Sequence, residues 1–208
     1  RKMKANEAFG KLASDEDVQM AADALLANGM KTVVVANSEE AKKEVLELIP
    51  QGAEVFTMTS MTLEATGIDK EINESGKYNA LRLKLYAMDR NTQAREMAKL
   101  GAAPDWVVAS VHAVTLDGHL LIASNTGSQI SSEAYAAGKV IFVAGTQKIV
   151  KDIQEGIKRI YEYSYPLEDE RAQKAYGIHS GVNKILIINK EIMSERTTVI
   201  LVGEKLGF

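Results

Sequence analysis

The sequence has 208 residues, of which 46% are hydrophobic and 25% are charged, proportions that are ordinary for a globular protein. The formal net charge of −3 is too small to indicate nucleic acid or an anionic membrane as a partner. The absence of cysteine excludes disulfides, thiol nucleophiles and an iron–sulfur cluster held by these residues alone, so we expect no cofactor bound by this chain. No apolar run approaches the ~18–20 residues that span a bilayer, and no apolar segment follows the basic N-terminus, so we expect a cytoplasmic protein.

In chain order, the first strong signal is an amphipathic helix over residues 15–28. The run 32–36 is continuously apolar and β-branched, which is typical of a strand covered on both faces. A second helix follows, closed by Pro50, and residues 54–58 have the pattern of the next strand. This alternation of helices and strands predicts parallel strands joined by crossover helices.

The second half of the chain adds a different signal. Residues 106–115 and 120–124 are two β-rich runs separated by Asp117 and Gly118, and an Asp-Gly pair in this position favours a hairpin. We expect a helix to begin at Ser128. Three further runs have the character of strands: 140–144, 184–189 and 197–202.

These patterns predict one α/β domain over residues 1–208, with a helical N-terminal segment at 1–30 and an α/β core from about 31 onward. The expected architecture has three layers and a mixed, mostly parallel sheet with crossover helices and a β-hairpin, since a hairpin must add antiparallel pairing to a parallel core.

Three loops that lead from strands into helices are rich in small polar residues. In open α/β sheets, ligands bind outside the carboxyl ends of the strands, where such loops gather, and free N–H groups there can hold phosphate or carboxylate. Ordinary helix capping is the alternative explanation for the same residue types. The candidate ligand-binding residues in these loops are Thr59, Ser60, Asn125, Thr126, Gly127, Ser128, Gln129, Thr146 and Lys148.

The ionisable residues give weaker indications of a functional site than the polar loops do. The spacing of the three histidines matches no metal-ligand pattern, so we expect no metal site. Glu64 follows the first polar loop and Asp117 lies in the hairpin, and both are candidate catalytic acids or bases. Each also has a structural explanation, because Glu64 would stabilise a helix start and Asp117 would form the turn.

Four parts of the sequence resemble the LUD domain family, which includes lactate-utilisation protein C. They are the stretch 113–118 (Ala-Val-Thr-Leu-Asp-Gly), the loop 124–129, residues 139–150 and residues 166–171. The resemblance extends from about Val33 onward and is most specific over 113–148.

The resemblance implies a fold similar to that of the sugar-phosphate isomerase and coenzyme A transferase superfamily. It also implies a role in lactate or related organic-acid utilisation, with a small carboxylate or phosphate ester bound at the Thr-Gly-Ser-Gln loop. Two other functions stay open: an isomerase or coenzyme A transferase-like enzyme, and a non-catalytic partner of iron–sulfur subunits. An exposed hairpin edge would also allow pairing into a homo-oligomer.

Overall fold

The protein is described by a computed structural model that covers residues 3–208; Arg1 and Lys2, the first residues of the predicted helical segment, lie outside the described residues. The α-helices in this range are α1 (Asp15–Ala27), α2 (Ser38–Leu48), α3 (Met61–Thr66), α4 (Ile68–Glu74), α5 (Leu81–Tyr86), α6 (Arg90–Ala102), α7 (Ile153–Arg159) and α8 (Tyr165–Tyr176). The strands are β1 (Lys31–Val35), β2 (Glu54–Thr57), β3 (Asn79–Ala80), β4 (Trp106–Ala109), β5 (Ala113–Thr115), β6 (Leu120–Ser124), β7 (Lys139–Gly145), β8 (Ile149–Val150), β9 (Lys184–Ile188) and β10 (Thr197–Val202). Short 3-10 turns occur at Glu7–Gly10 and Thr146–Lys148, and π-helical turns at Ser132–Ala136 and Ile160–Ser164. None of the helices in residues 3–208 is long and apolar enough to cross a bilayer.

The main sheet has six strands in the order β1-β10-β7-β4-β2-β3, and every neighbouring pair is parallel. Helices cover both of its faces, so the predicted three-layer α/β architecture is confirmed. Because all the strands run in one direction, their carboxyl ends meet at one edge of the sheet. The loops that leave this edge are the place where a ligand site is expected in such folds.

The side chains of the main sheet alternate between two hydrophobic clusters, as the two-residue period of a strand requires. In β7, Phe142 and Ala144 join a cluster that includes residues of α1, α5 and the hairpin strands. The intervening Ile141 and Val143 face the opposite cluster, built with α2, α3 and α4. Burial on both faces explains why β7 and β10 read as continuous apolar runs.

The predicted hairpin forms, but it belongs to a second sheet with the order β8-β5-β6-β9. Strands β5 and β6 pair antiparallel, as do β6 and β9, whereas β5 and β8 are parallel. The run 106–115 is therefore two strands in two sheets, separated by a three-residue link at 110–112. One face of this second sheet packs toward the main sheet and the other packs against α7, so its strands are also apolar on both sides.

Three other sequence predictions differ from the structure. Strand β1 is an edge strand that pairs only with β10, and Val34 is about half exposed, so it is not covered on both faces. No α-helix begins at Ser128; a turn there leads into the π-helical segment Ser132–Ala136. The two-residue strand β3 was not predicted, since two residues carry no periodicity.

The hairpin turn is fixed against the C-terminal half of α1. Gly118 has a φ of 82°, in the region that favours glycine, and a Cβ at this position would lie 2.5 Å from the carbonyl carbon of Ala24. The side chain of Asn28 donates hydrogen bonds to the carbonyls of Asp117 and Gly118. The turn therefore needs glycine for its conformation and for its close approach to the helix.

We expect Gly118→Ala to lower the free energy of unfolding much more than Gly52→Ala. Both glycines have positive φ, but a Cβ at Gly52 would meet no atom within 4 Å. The Gly52 change should cost about 1–2 kcal/mol from backbone strain alone. Steric overlap should add about 1–3 kcal/mol at Gly118. Urea denaturation measures both, and equal losses would contradict the proposed packing against α1.

Candidate functional site

A cleft of about 820 Å³ lies at the carboxyl ends of β2, β4 and β7. Its walls come from the loop after β2, the 110–112 link, the loop after β6, residues 180–182 and one side each of α4, α5 and α8. This volume is within the range of small-molecule sites in proteins. The position agrees with the sequence prediction that the polar strand-to-helix loops gather around one site.

Lys148 lies in the 3-10 turn directly after β7 and is almost completely buried in the cleft wall. Its Nζ donates to Thr62 Oγ1 at 3.0 Å, to Ser110 Oγ at 2.9 Å and to the carbonyl of Val111 at 2.9 Å. All three acceptors are uncharged. Burial, together with the nearby charge of Arg159, lowers the pKa of Lys148 well below its usual value, because neither favours the ammonium form.

A second buried basic side chain, which has no carboxylate partner within residues 3–208, lies behind the cleft. Arg159 is fully buried at the end of α7 and donates through Nη1 to the carbonyl of His112 and to Ser164 Oγ. Its guanidinium is 4.9 Å from the ring centre of Tyr163, and Nε and Nη2 have no hydrogen-bond partner within the described chain. Burial lowers the pKa of Arg159 to about 10. Lys148 and Arg159 are thus two buried basic side chains whose hydrogen-bond acceptors are all uncharged.

His112 lies between these cations and lines the cleft. Burial, followed by the charges of Lys148 and Arg159, lowers its pKa to about 3, so the imidazole is neutral at physiological pH. Its Nδ1 accepts a hydrogen bond from the N–H of Ala123 at 3.0 Å. That bond assigns the ring hydrogen to Nε2, which is then a donor. The sequence prediction placed His112 within a strand, but the structure places it in the link between the two sheets.

The loop 124–129 borders the cleft, with only part of it facing inward. Asn125, Thr126 and Gln129 line the cleft, while Gly127 and Ser128 do not. The N–H of Gly127 donates to Ser124 Oγ at 2.8 Å, and the N–H of Ser128 donates to Thr126 Oγ1 at 3.2 Å. These two N–H groups, which we expected to hold an anion, therefore have partners inside the loop.

Gly127 has a structural role that the sequence motif did not show. Its φ is 85°, and a Cβ there would lie 2.7 Å from Cδ of Lys184. The Lys184 ammonium donates to the carbonyl of Thr126 at 2.7 Å, and Asn183 donates to the side chain of Asn125 at the same distance. Residues at the start of β9 thus hold the loop in place.

The other predicted site residues divide between the cleft and its surroundings. Thr59 and Ser60 line the cleft, and Ser60 also caps α3 by accepting a hydrogen bond from the N–H of Leu63. Glu64 lines the cleft on the exposed side of α3. Thr146 is buried and does not line it. Asp117 also lies outside the cleft lining.

The Asp117 carboxylate serves the hairpin turn. It accepts a hydrogen bond from Thr115 Oγ1 and is 3.2 Å from Nε2 of His119. The hydrogen bond from Thr115 is the main reason that its pKa is lowered. These contacts match the turn explanation that the sequence left open for this residue.

Arg82 is a cleft residue that the sequence analysis missed. Its guanidinium donates to the carbonyl of Thr57 through Nε and Nη2 and stands 4.7 Å from the ring centre of Phe56. Burial lowers the pKa of Arg82. It lies on α5 in a polar region without a motif, and no signal in the sequence distinguishes it from other surface arginines.

Glu133 is the second cleft residue that was missed. It lies in the π-helical turn Ser132–Ala136, is 1% exposed, and neither carboxyl oxygen has a hydrogen-bond partner within residues 3–208. Burial raises its pKa to about 8, so the carboxyl group is mainly protonated at neutral pH. A helix through this segment would place residues 130, 133, 134 and 137 on one face, so a glutamate among apolar residues was the signal that the sequence offered.

No group of three or more histidine, aspartate or glutamate side chains in the described residues is arranged to hold a metal ion. The carboxylates around the cleft are spread over several elements, and the one that is deeply buried is Glu133.

The buried carboxyl predicts a pH dependence of stability. Glu133 has a pKa of about 8 in the folded protein and near 4.5 when unfolded, so the folded state holds this proton more tightly. Its contribution to the free energy of unfolding is fully present below pH 4.5 and is lost as the pH rises toward 8. We expect Glu133→Gln to raise the melting temperature more at pH 8 than at pH 5. The difference between the two pH values should correspond to a free energy of unfolding on the order of a few kcal/mol. Glu74→Gln, at an exposed position of the same cleft, is the matched control, and equal effects of the two variants would contradict the burial argument.

Comparison with known proteins agrees with the fold. The family model of the LUD domain matches residues 18–202. A DUF162 family protein from Deinococcus radiodurans superposes with a TM-score of 0.59 at 12% identity, over 93% of this chain and 100% of that chain. Weaker similarities include ribose 5-phosphate isomerase from Plasmodium falciparum, with a TM-score of 0.33 at 12% identity over 67% of this chain and 65% of that one. The delta subunit of eIF2B from Chaetomium thermophilum has a TM-score of 0.36 at 15% identity, over 58% and 50%.

No curated protein sequence matches the chain significantly. The family model nevertheless extends from α1 to the end of β10 and so includes every strand that leads into the cleft. The chain belongs to the LUD domain family.

Proposed function

We propose that this chain binds a small organic anion, a carboxylate or a phosphate ester, in the cleft at the carboxyl ends of β2, β4 and β7. The observation that carries the proposal is the buried ammonium group of Lys148, whose three hydrogen-bond acceptors are all uncharged. A ligand oxyanion beside this group would supply the missing negative charge.

The energetic argument is that an ammonium group removed from water loses several kcal/mol of hydration, and neutral acceptors replace only part of it. Arg159 adds a second buried positive charge, and it raises the cost of keeping Lys148 protonated in the empty cleft. An anion in the cleft would offset both charges. It would also favour protonation of Lys148, so binding should take up a proton and weaken as the pH rises.

Other residues of the cleft would set the position of the anion. The neutral imidazole of His112 presents an N–H donor, and Arg82 adds a positive charge beside β2. Thr59, Ser60, Asn125, Thr126 and Gln129 would contribute polar contacts from the two loops.

Within the proposal, the roles of three predicted residues are revised. Gly127 and Ser128 would shape the loop rather than donate their N–H groups to the anion, since those groups already have partners. Thr146 would support the turn that presents Lys148 without touching the ligand, because it does not line the cleft.

The metabolic setting that we propose is lactate or related organic-acid utilisation. It rests on the resemblance to lactate-utilisation protein C over residues 113–148, and on the fit between a carboxylate substrate and the buried cations. L-Lactate and pyruvate are therefore the first compounds to test.

We expect a thermal-shift panel of L-lactate, pyruvate, citrate, glycerol phosphate and inorganic phosphate to include at least one anion that raises the melting temperature. Lys148→Met should weaken binding of that anion about 10-fold or more, because it removes a charge-assisted contact. Lys70→Met, which removes an exposed lysine at the same cleft, is the matched control and should have little effect.

Two results would overturn the proposal. One is that no anion of the panel stabilises the wild-type protein; the other is that Lys148→Met and Lys70→Met weaken binding equally. The melting temperature of Lys148→Met without ligand shows whether the variant is folded. We expect it to be folded, because a methionine of similar length in a buried site often leaves stability unchanged or improved.

A further inference from the structure

The backbone of Glu133 is well fixed. Its N–H donates to the carbonyl of Gln129 at 3.2 Å, and its carbonyl accepts from Nη1 of Arg196 at 3.2 Å. The Arg196 guanidinium also donates to the carbonyls of Ser132 and Ala137, at 2.8 and 3.0 Å. One buried side chain thus binds two carbonyls of the π-helical turn and that of the residue directly after it, and this arrangement holds Glu133 in the cleft wall.

The side chain of the same residue has no such support. Both carboxyl oxygens are buried without a hydrogen-bond partner in the described chain, although the residue lines the cleft. An unpartnered buried polar group costs about 1–3 kcal/mol, and leucine in this position would avoid that cost. Groups of this kind occur where a ligand completes the hydrogen bonds.

We propose that the Glu133 carboxyl group donates a hydrogen bond to a second oxygen of the anion bound at Lys148. This inference rests on the proposed anion site. It narrows the ligand class to organic anions that also carry a carbonyl or hydroxyl oxygen, such as oxo acids, hydroxy acids or hydroxylated phosphate esters. A simple acid without that oxygen would leave the carboxyl group unpaired and would bind more weakly.

Protonation is consistent with a donor role. A carboxyl group with a pKa of about 8 keeps its hydrogen at neutral pH, and the cause of the shift is burial. The elements that pack against the turn are α6 and the segment before β10. The charged residues of α6 and of the segment before β10 are Arg90, Arg95, Glu96, Lys99, Lys190, Glu191, Glu195 and Arg196. Those of the cleft lining, besides Glu133, are Glu64, Asp69, Lys70, Glu74, Arg82, Lys148, Glu168 and Arg171.

The test compares matched ligands by isothermal titration calorimetry on the full chain at pH 7. One pair is pyruvate and propionate, and the other is glycerol phosphate and propyl phosphate, so the two pairs distinguish a carboxylate from a phosphate as the anionic group. In at least one pair, the oxygen-bearing member should bind about 10-fold more tightly, which corresponds to one good hydrogen bond. Glu133→Leu should abolish this advantage, whereas Glu74→Gln should leave it unchanged.

A pH series separates the donor role from packing. In the wild-type protein the advantage should shrink from pH 7 to pH 9 as Glu133 ionises. The amide of Glu133→Gln donates at every pH. In this variant, the ratio of affinities for the two members of a pair should therefore stay constant from pH 7 to pH 9. Any effect of Lys148 on the pH dependence applies to both members of a pair and cancels in their ratio.

The outcomes distinguish this inference from the proposal beneath it. If both members of each pair bind with equal affinity, or if the advantage survives Glu133→Leu, the role of Glu133 is wrong and the anion site stands. If no member of either pair binds, and none of the anions of the thermal-shift panel does, the anion site itself is wrong and the role of Glu133 falls with it.

Discussion

The ammonium group of Lys148 joins three parts of the chain that are distant in sequence. Its hydrogen bonds reach Thr62, which is 86 residues away, and the segment at Ser110 and Val111, 37 to 38 residues away. These partners follow β2 and β4, while Lys148 follows β7, so one group connects the ends of three neighbouring strands. Thr62 also donates to the carbonyl of Leu206, which extends the connection to the C-terminal segment. The shape of the cleft depends on this buried charge.

A charge in that position has opposite effects on stability and on binding. It helps to organise the loops, but it does so without a counter-ion, and a neutral side chain could fill the same space at lower cost. Glu133 shows the same opposition between stability and binding, but here the costly group is a buried, protonated carboxyl group and not a charge. Both side chains reduce the stability of the empty protein, and both lie where a ligand could compensate. Natural proteins keep such groups where function requires them.

Much of the fold could be predicted from the sequence. The main-sheet strands β7 and β10 were recognisable from the apolar runs 140–144 and 199–202, because burial on both faces favours apolar residues there. The capping of α1 by Ser14 and of α2 by Asn37 also follows local rules and is present in the structure. The division of residues 106–115 between two sheets was not predictable, since both halves are apolar and only tertiary pairing separates them.

The candidate site was predicted only in part, because local sequence signals mark some of its residues and tertiary packing positions the others. Small polar residues after strands marked the loops at 59–60 and 124–129, and Lys148 followed from its place after β7. Arg82 and Glu133 were missed because their positions depend on tertiary packing. The turn that carries Glu133 departs from an α-helix, and the arginine that holds it is 63 residues further along the chain. Helical periodicity places Glu133 on the same face as residues 130, 134 and 137, but it does not show that the two carboxyl oxygens lack a hydrogen-bond partner in the described residues.

The three-residue link at 110–112 has a mechanical consequence. Within residues 3–208, it is one of two three-residue connections from the main sheet to the second sheet, the other being Thr146–Lys148 between β7 and β8. The carbonyl of Val111 accepts a hydrogen bond from Lys148, and the carbonyl of His112 accepts one from Arg159. The floor of the cleft is therefore also the seam between the two sheets. Any change in the angle between the sheets would move these carbonyls relative to Lys148 and Arg159, so we expect the shape of the cleft to depend on the relative orientation of the two sheets.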